Sequence, residues 1–160
     1  MTTPEFILRL REKIGHDSLF LIGVTCIVLR EHEGSTQVLL VRRADNLAWT
    51  PVGGIVEPGQ QVDEAAVREV LEETTIQAEV ERLVWVKTYP DEVVYDNGDR
   101  TEHVCLTMRM HPVSGEPRPG DDESVEARWW DVDQLPEIPE DFLERITWAL
   151  ADKPGVRLGL

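Results

Sequence analysis

GGIVEPGQQVDEAAVREVLEETTI, from Gly53 to Ile76, is the stretch whose reading decides the fold of this 160-residue chain. Its first half is loop chemistry, because two glycines and the Pro58-Gly59 pair let a backbone approach a ligand or take a positive φ at little steric cost. A helix follows. Val62 to Thr74 consists mostly of good helix formers, and Asp63 and Glu64 place negative charge in the first turn, where the helix dipole favours it. At 3.6 residues per turn, Ala66, Val67, Val70 and Leu71 share one side, and Glu69, Glu72 and Glu73 share roughly the opposite one. Like charges at this spacing destabilise a helix by about 0.2–0.5 kcal/mol per pair. Arg68 neutralises part of the repulsion. A hard divalent cation that takes oxygen ligands, Mg2+ or Mn2+, neutralises far more. A solvated acidic face is the alternative that the helix alone leaves open.

The pattern is longer than the helix. Gly54, five residues, Gln60, seven residues, Arg68-Glu69-Val70, one residue, Glu72-Glu73, one residue and Thr75-Ile76 form a run that resembles the signature of the Nudix hydrolases. Gly53, Glu57, Gly59 and Ala65 fit its commoner extended form. Two positions depart from it: Gln60 stands where the family usually has Glu, and Thr75 where it usually has Gly. The resemblance implies an α/β fold of the Nudix type, an α/β/α sandwich with a mixed sheet, and pyrophosphate hydrolysis with Mg2+ or Mn2+ as cofactor. It implies Glu72 and Glu73 as direct metal ligands, Glu69 as a ligand or general base, Gly54 as a ligand through its carbonyl, and Arg68 as the ion-pair partner that orients the acids. Glu57 is a weaker neighbour. In this family an acid from a later loop often joins the site as ligand or base, and Glu123 is the candidate. The Gln60 departure bears on an auxiliary metal contact. The Thr75 departure bears on how the helix ends, and a cap other than the left-handed one is expected, since a β-branched residue at positive φ costs about 1–2 kcal/mol.

Composition bounds what surrounds this stretch. The length suits one domain, residues 1–160, with its own core and an extra helix within residues 1–15. No apolar run approaches the roughly 20 residues that cross a bilayer, and MTTPEFILRLREK lacks the features of a signal peptide. Cys26 and Cys105 each sit in an apolar strand-like run and read as buried thiols, so a cytoplasmic location is expected. Sixteen basic against 31 acidic residues leave a net charge of −15, which disfavours nucleic-acid and anionic-membrane partners. A small nucleotide-type diphosphate remains compatible, because metal ions and a few arginines reverse the sign locally.

The remaining elements are read from periodicity and turn residues. Pro4 to Ile14 reads as a helix capped by Thr3, which packs over the sheet or serves a homodimer contact. Leu19–Arg30 and Gln37–Arg43 form a hairpin. Ala78–Tyr89, Glu102–His111 and Val125–Val132 are strands, the second with the alternation of a half-buried one, and Asp141–Ala151 closes the chain as a helix. Trp49 either packs under the glycine loop or stacks on a base. Arg42, Tyr95 and Arg100 are the other candidate substrate contacts, the last two on the polar excursion Pro90 to Thr101. His103 and His111 read as surface strand residues without a metal-binding partner. A nucleoside diphosphate linked to another moiety is the expected substrate, with a nucleoside triphosphate or a non-catalytic sensing role as alternatives.

Overall fold

A computed structural model describes residues 3–151 and 153–160. In chain order they form α1 (Glu5–Ile14), β1 (Leu19–His32), β2 (Ser35–Arg43), β3 (Trp49–Thr50), β4 (Val52–Ile55), α2 (Val62–Thr74), β5 (Gln77–Thr88), β6 (Val93–Val94), β7 (Arg100–Ser114), β8 (Ser124–Asp131), α3 (Glu140–Leu150) and β9 (Arg157–Leu158). The sheet is built outward from β1. Residues 19–28 run parallel to residues 101–110 of β7, residues 23–26 pair antiparallel with β4, and residues 29–32 continue through a tight turn into β2. β2 pairs with β8, and β7 with β5, whose far edge takes β9 in parallel. The result is the expected mixed sheet between helical layers.

Side chains alternate across a strand, so each strand feeds two layers. Val24, Cys26, Val28, Leu39 and Val41 pack with Ala65, Ala66 and Val70 of α2. Ile27, Leu29, Val38 and Leu40 turn the other way and meet Ile146 and Ala149 of α3. β7 is covered on both sides, which corrects its half-buried reading. Met108 and Met110 belong to the α2 layer, while Thr107 is fully buried against Arg145 of α3. The polar Thr107 of its alternation thus answers a polar partner, not water.

Two helices differ from expectation in detail. In α2 the limits agree, and the Gln61 N–H donates to the Glu64 carboxylate at 3.3 Å, but the buried stripe is Ala65, Ala66, Val70, Glu73 and Thr74. Leu71 is 44% exposed, whereas Glu73, expected on the outer face, is only 6% exposed. In α1 the cap is Pro4 itself, whose carbonyl accepts from Ile7 and Leu8 at 3.0 and 3.3 Å; no side chain caps it. Arg11 donates to the Arg100 carbonyl at 2.8 Å and His16 Nδ1 meets Asp99 at 2.8 Å, which ties α1 to the excursion before β7. Among the described residues, no helix is long and apolar enough to cross a membrane.

Candidate active site

β4 ends in Gly53 and Gly54, paired with Thr25 and Val24 of β1. A side chain at Gly54 has no room: an added Cβ would lie 2.6 Å from Glu69 Oε2 and inside contact with the rest of that carboxylate. The glycine thus lets the Glu69 carboxylate rest directly on backbone. Arg68 reaches the same place, with Glu69 at 2.9 Å, Glu72 at 3.0 Å and the Ile55 carbonyl at 3.3 Å. Gln60 faces this cluster as a neutral acceptor, its Oε1 receiving the Glu57 N–H at 3.3 Å and Arg68 at 3.5 Å.

The end of α2 is held by the loop that precedes β8. The Arg118 and Gly120 N–H groups donate to the carbonyls of Thr74 and Glu73, each at 3.0 Å, which satisfies acceptors a helix end leaves open. Gly120 is required there, since an added Cβ would lie 2.9 Å from the Glu72 carbonyl carbon and inside contact with its oxygen. Thr75 caps the helix at φ 61°, ψ 9°, with its N–H bonded to the Leu71 carbonyl. This left-handed cap overturns the expectation that Thr75 would avoid it. The threonine hydroxyl donates to the Glu116 carbonyl at 2.9 Å, a tie to the loop that glycine would lack.

That loop delivers Asp121 and Glu123 to Glu73. Burial pushes the Glu73 carboxyl up to about 8, and the charges of Glu69, Glu123 and Asp121 act in the same direction against Arg43. Burial likewise pushes Glu69 up to about 7, opposed by Arg68 and reinforced by Glu72 and Glu123. The structure therefore brings Glu69, Glu73 and Glu123 together, keeps Arg68 beside Glu69, and leaves Glu72 on the exposed side of Arg68.

Glu73 and Glu123 open into a cleft of about 710 Å³. On the β2 side of β1 it is lined by Arg43, Glu73, Asp122 and Glu123; on the β7 and β5 side by Tyr89, His103, Cys105 and Phe142. Tyr95 lines it too. The other three substrate candidates are elsewhere. Trp49 packs edge to face with Trp130, ring centroids 5.2 Å apart, in the α3 layer. Arg42 donates to the Leu47 carbonyl, while Arg43 shares the face of Val41, two residues back along β2, and lines the cleft with it. Arg100 lies 3.8 Å from Glu92 and does not line the cleft. His103 is half-buried rather than on the open surface. It lines the cleft, and burial holds its imidazole below the usual value, so it is neutral at pH 7. Tyr89 and Phe142 carried no sequence signal, since both read as ordinary strand-end and helix residues.

Known proteins resemble this chain in sequence and fold. The profile of the NUDIX domain matches residues 19–149. A Methanocaldococcus jannaschii protein named ADP-ribose pyrophosphatase is 32% identical over 112 residues, 68% of this chain and 63% of its own length. A Bacillus subtilis protein named putative 8-oxo-dGTP diphosphatase is 46% identical over 68 residues, 42% of this chain and 44% of its own. This chain thus spans less than two thirds of either relative. A Nudix hydrolase structure from Nitrosomonas europaea aligns with a TM-score of 0.68 at 23% identity, covering 87% of this chain and 77% of that one, a likeness of fold. The chain belongs to the Nudix hydrolase family.

Proposed function

We propose that this protein hydrolyses the pyrophosphate linkage of a nucleoside diphosphate joined to another moiety, such as ADP-ribose or a nucleotide sugar, with Mg2+ or Mn2+ as cofactor. One observation carries the reading. A single cleft holds converging carboxylates on one side of β1 and a group of aromatic side chains on the other, room for a diphosphate and for an organic group beyond it. The name of the M. jannaschii relative agrees with that substrate class.

The acids around the end of α2 have the donor chemistry of a site for a divalent cation, although among the described residues no three of them are already grouped closely enough to hold one. Its donors are all oxygens, the Glu69 carboxylate lies against the Gly54 backbone where no side chain fits, and Glu73 is buried among charges of its own sign. The Gly54 carbonyl, Glu69, Glu72 and Glu73 would hold it. When bound, the cation neutralises charge developing on phosphate oxygens and makes water nucleophilic at neutral pH. Arg68 orients Glu69 and Glu72 through its two ion pairs. On this reading Glu69 or Glu123 accepts the proton from the attacking water. Arg43 brings a guanidinium to the acidic side of the cleft, where it is paired with Asp45 and an anionic substrate would compete for it.

A nucleoside triphosphate is the second reading, favoured by the local identity to the B. subtilis relative. The test is a panel of ADP-ribose, nucleotide sugars, dinucleoside polyphosphates and canonical or oxidised triphosphates, with Mg2+ and with EDTA, compared by kcat/KM. Preference for a linked diphosphate, abolished by EDTA, is expected. Turnover of triphosphates alone overturns the substrate assignment, and undiminished turnover in EDTA overturns the metal.

A further inference from the structure

Behind the aromatic side of the cleft lies an ionic cluster that the proposed reaction does not use. Arg145 of α3 is fully buried. Its Nε meets Asp141 at 2.8 Å, Nη1 donates to Thr107 Oγ1 and to Cys105 Sγ, and Nη2 donates to the Tyr89 hydroxyl. The Tyr89 hydroxyl donates in turn to Asp141 Oδ2 at 2.7 Å, and Lys87 Nζ pairs with the other carboxylate oxygen. Two cations thus share one carboxylate inside a chain of net charge −15. Stability alone does not account for such a cluster, because a well-packed apolar set of similar volume is often as stable or more so.

The cluster's contacts point to a second role. Tyr89 and Cys105 line the cleft, and Asp141 immediately precedes Phe142, which lines it as well. The Tyr89 hydroxyl both donates and accepts, so its ring is held from its polar end. Lys87 and Arg145 lie 5.1 and 5.8 Å from the ring centroid, where positive charge is attracted to a ring face. A ring fixed before binding gives a stacking partner that loses little freedom when a ligand arrives.

We propose that Arg145 is a positioning residue for substrate recognition: through Tyr89 it fixes the wall on which a planar base stacks, so the β7 and β5 side of the cleft receives the base-bearing half of the substrate. This rests on the proposed reaction only in placing a nucleotide in the cleft. The test therefore avoids turnover. Binding of AMP and of ribose 5-phosphate is measured by calorimetry in EDTA. The wild-type protein is expected to bind AMP more tightly by roughly fivefold or more, the weak end of base–aromatic stacking. Tyr89→Leu abolishes that preference. Arg145→Met and Tyr89→Phe, which keep the ring and remove its anchor, weaken AMP binding and leave ribose 5-phosphate binding unchanged. With any substrate that is turned over, the same two variants raise KM and retain kcat, a split that general loosening of the fold would not produce. If Arg145→Met does not fold, Tyr89→Phe carries the test, since it lacks a single hydroxyl. Equal binding of the two probes by the wild-type protein, or wild-type AMP affinity in Tyr89→Phe, overturns the inference. An AMP preference that depends on the Tyr89 hydroxyl, in a protein that cleaves nothing on the panel, supports it and counts against the proposed reaction alone.

Discussion

Gly120→Ala is expected to damage stability and turnover together, although Gly120 is no catalytic group. The new methyl would sit within contact of the Glu72 carbonyl oxygen and 2.9 Å from its carbon, and both are backbone atoms of α2 that cannot swing aside. The loop must lift. It then loses the Gly120 N–H bond to Glu73 and the Arg118 N–H bond to Thr74, both 3.0 Å long. At about 0.5–1.5 kcal/mol for each, the loss is about 1–3 kcal/mol. In a chain of this size that lowers Tm by roughly 2–12 °C. The same loop carries Asp121 and Glu123 to Glu73, so kcat should fall on the order of tenfold or more, as misplacing a reacting group by about 1 Å can do. Circular dichroism melting and steady-state kinetics on the preferred substrate read the two effects. A Tm within about 1 °C of wild type, with unchanged kcat, would refute the claim that this loop both caps α2 and supplies the site.

Glu73→Gln is expected to abolish turnover with Mg2+ while keeping or raising Tm without divalent cations, because it removes a buried carboxylate repelled by Glu69, Glu123 and Asp121; undiminished activity sinks its role. Thr75→Ala should lose about 0.5–1.5 kcal/mol in urea denaturation, the value of its hydroxyl bond, whereas Thr75→Gly should change little, since relief of the left-handed strain offsets that loss and the added freedom of glycine in the unfolded chain; a variant Thr75→Ala as stable as wild type would show the hydroxyl idle. In Tyr95→Phe the remaining phenol is Tyr89, which burial and then its bond to Asp141 push up to about 12. Because the folded value lies above the unfolded one near 10, its contribution to stability is intact below pH 10 and is lost as pH rises through 12. Ultraviolet titration should find that midpoint, and Asp141→Asn should lower it; a midpoint near 10 in the folded Tyr95→Phe protein contradicts the buried cluster.

Much of the site was legible because its motif is local. The limits of α2, the glycine loop and Arg68 beside Glu69 and Glu72 follow from spacing within one helix and its entry loop. The burial of Glu73 does not, because helix rotation is set by Ala65 and Ala66 seating against β1 and β4, a tertiary fit that the position of Leu71 in the pattern misrepresents. The choice between Arg42 and Arg43 depends on which face of β2 turns to the cleft, the face of Val41, and that is set by packing against distant elements. Trp49 was ambiguous for the same reason: only Trp130, far along the chain, decides which way it packs. The cluster of Tyr89 and Arg145 joins residues 56 apart in sequence and has no local signature at all. Thr75 failed for another cause. The loop that gives its hydroxyl a partner lies some forty residues further on and offsets a strain that local sequence alone makes look prohibitive.

The parallel ladder of β1 and β7 also sets the order in which this chain acquires its centre. The two longest strands join across a gap of roughly eighty residues, a closure whose entropy must be met before any rung of the ladder repays it. On the ribosome, β1 emerges with only its hairpin partner β2 and then β4 at hand, and its other flank waits until β7 has been made. For that interval the row of Ile22, Val24 and Cys26 lacks a neighbour on one side. Newly made chains that stall or are truncated before β7 would carry an open apolar edge, the kind of surface that chaperones bind and that aggregates when they do not.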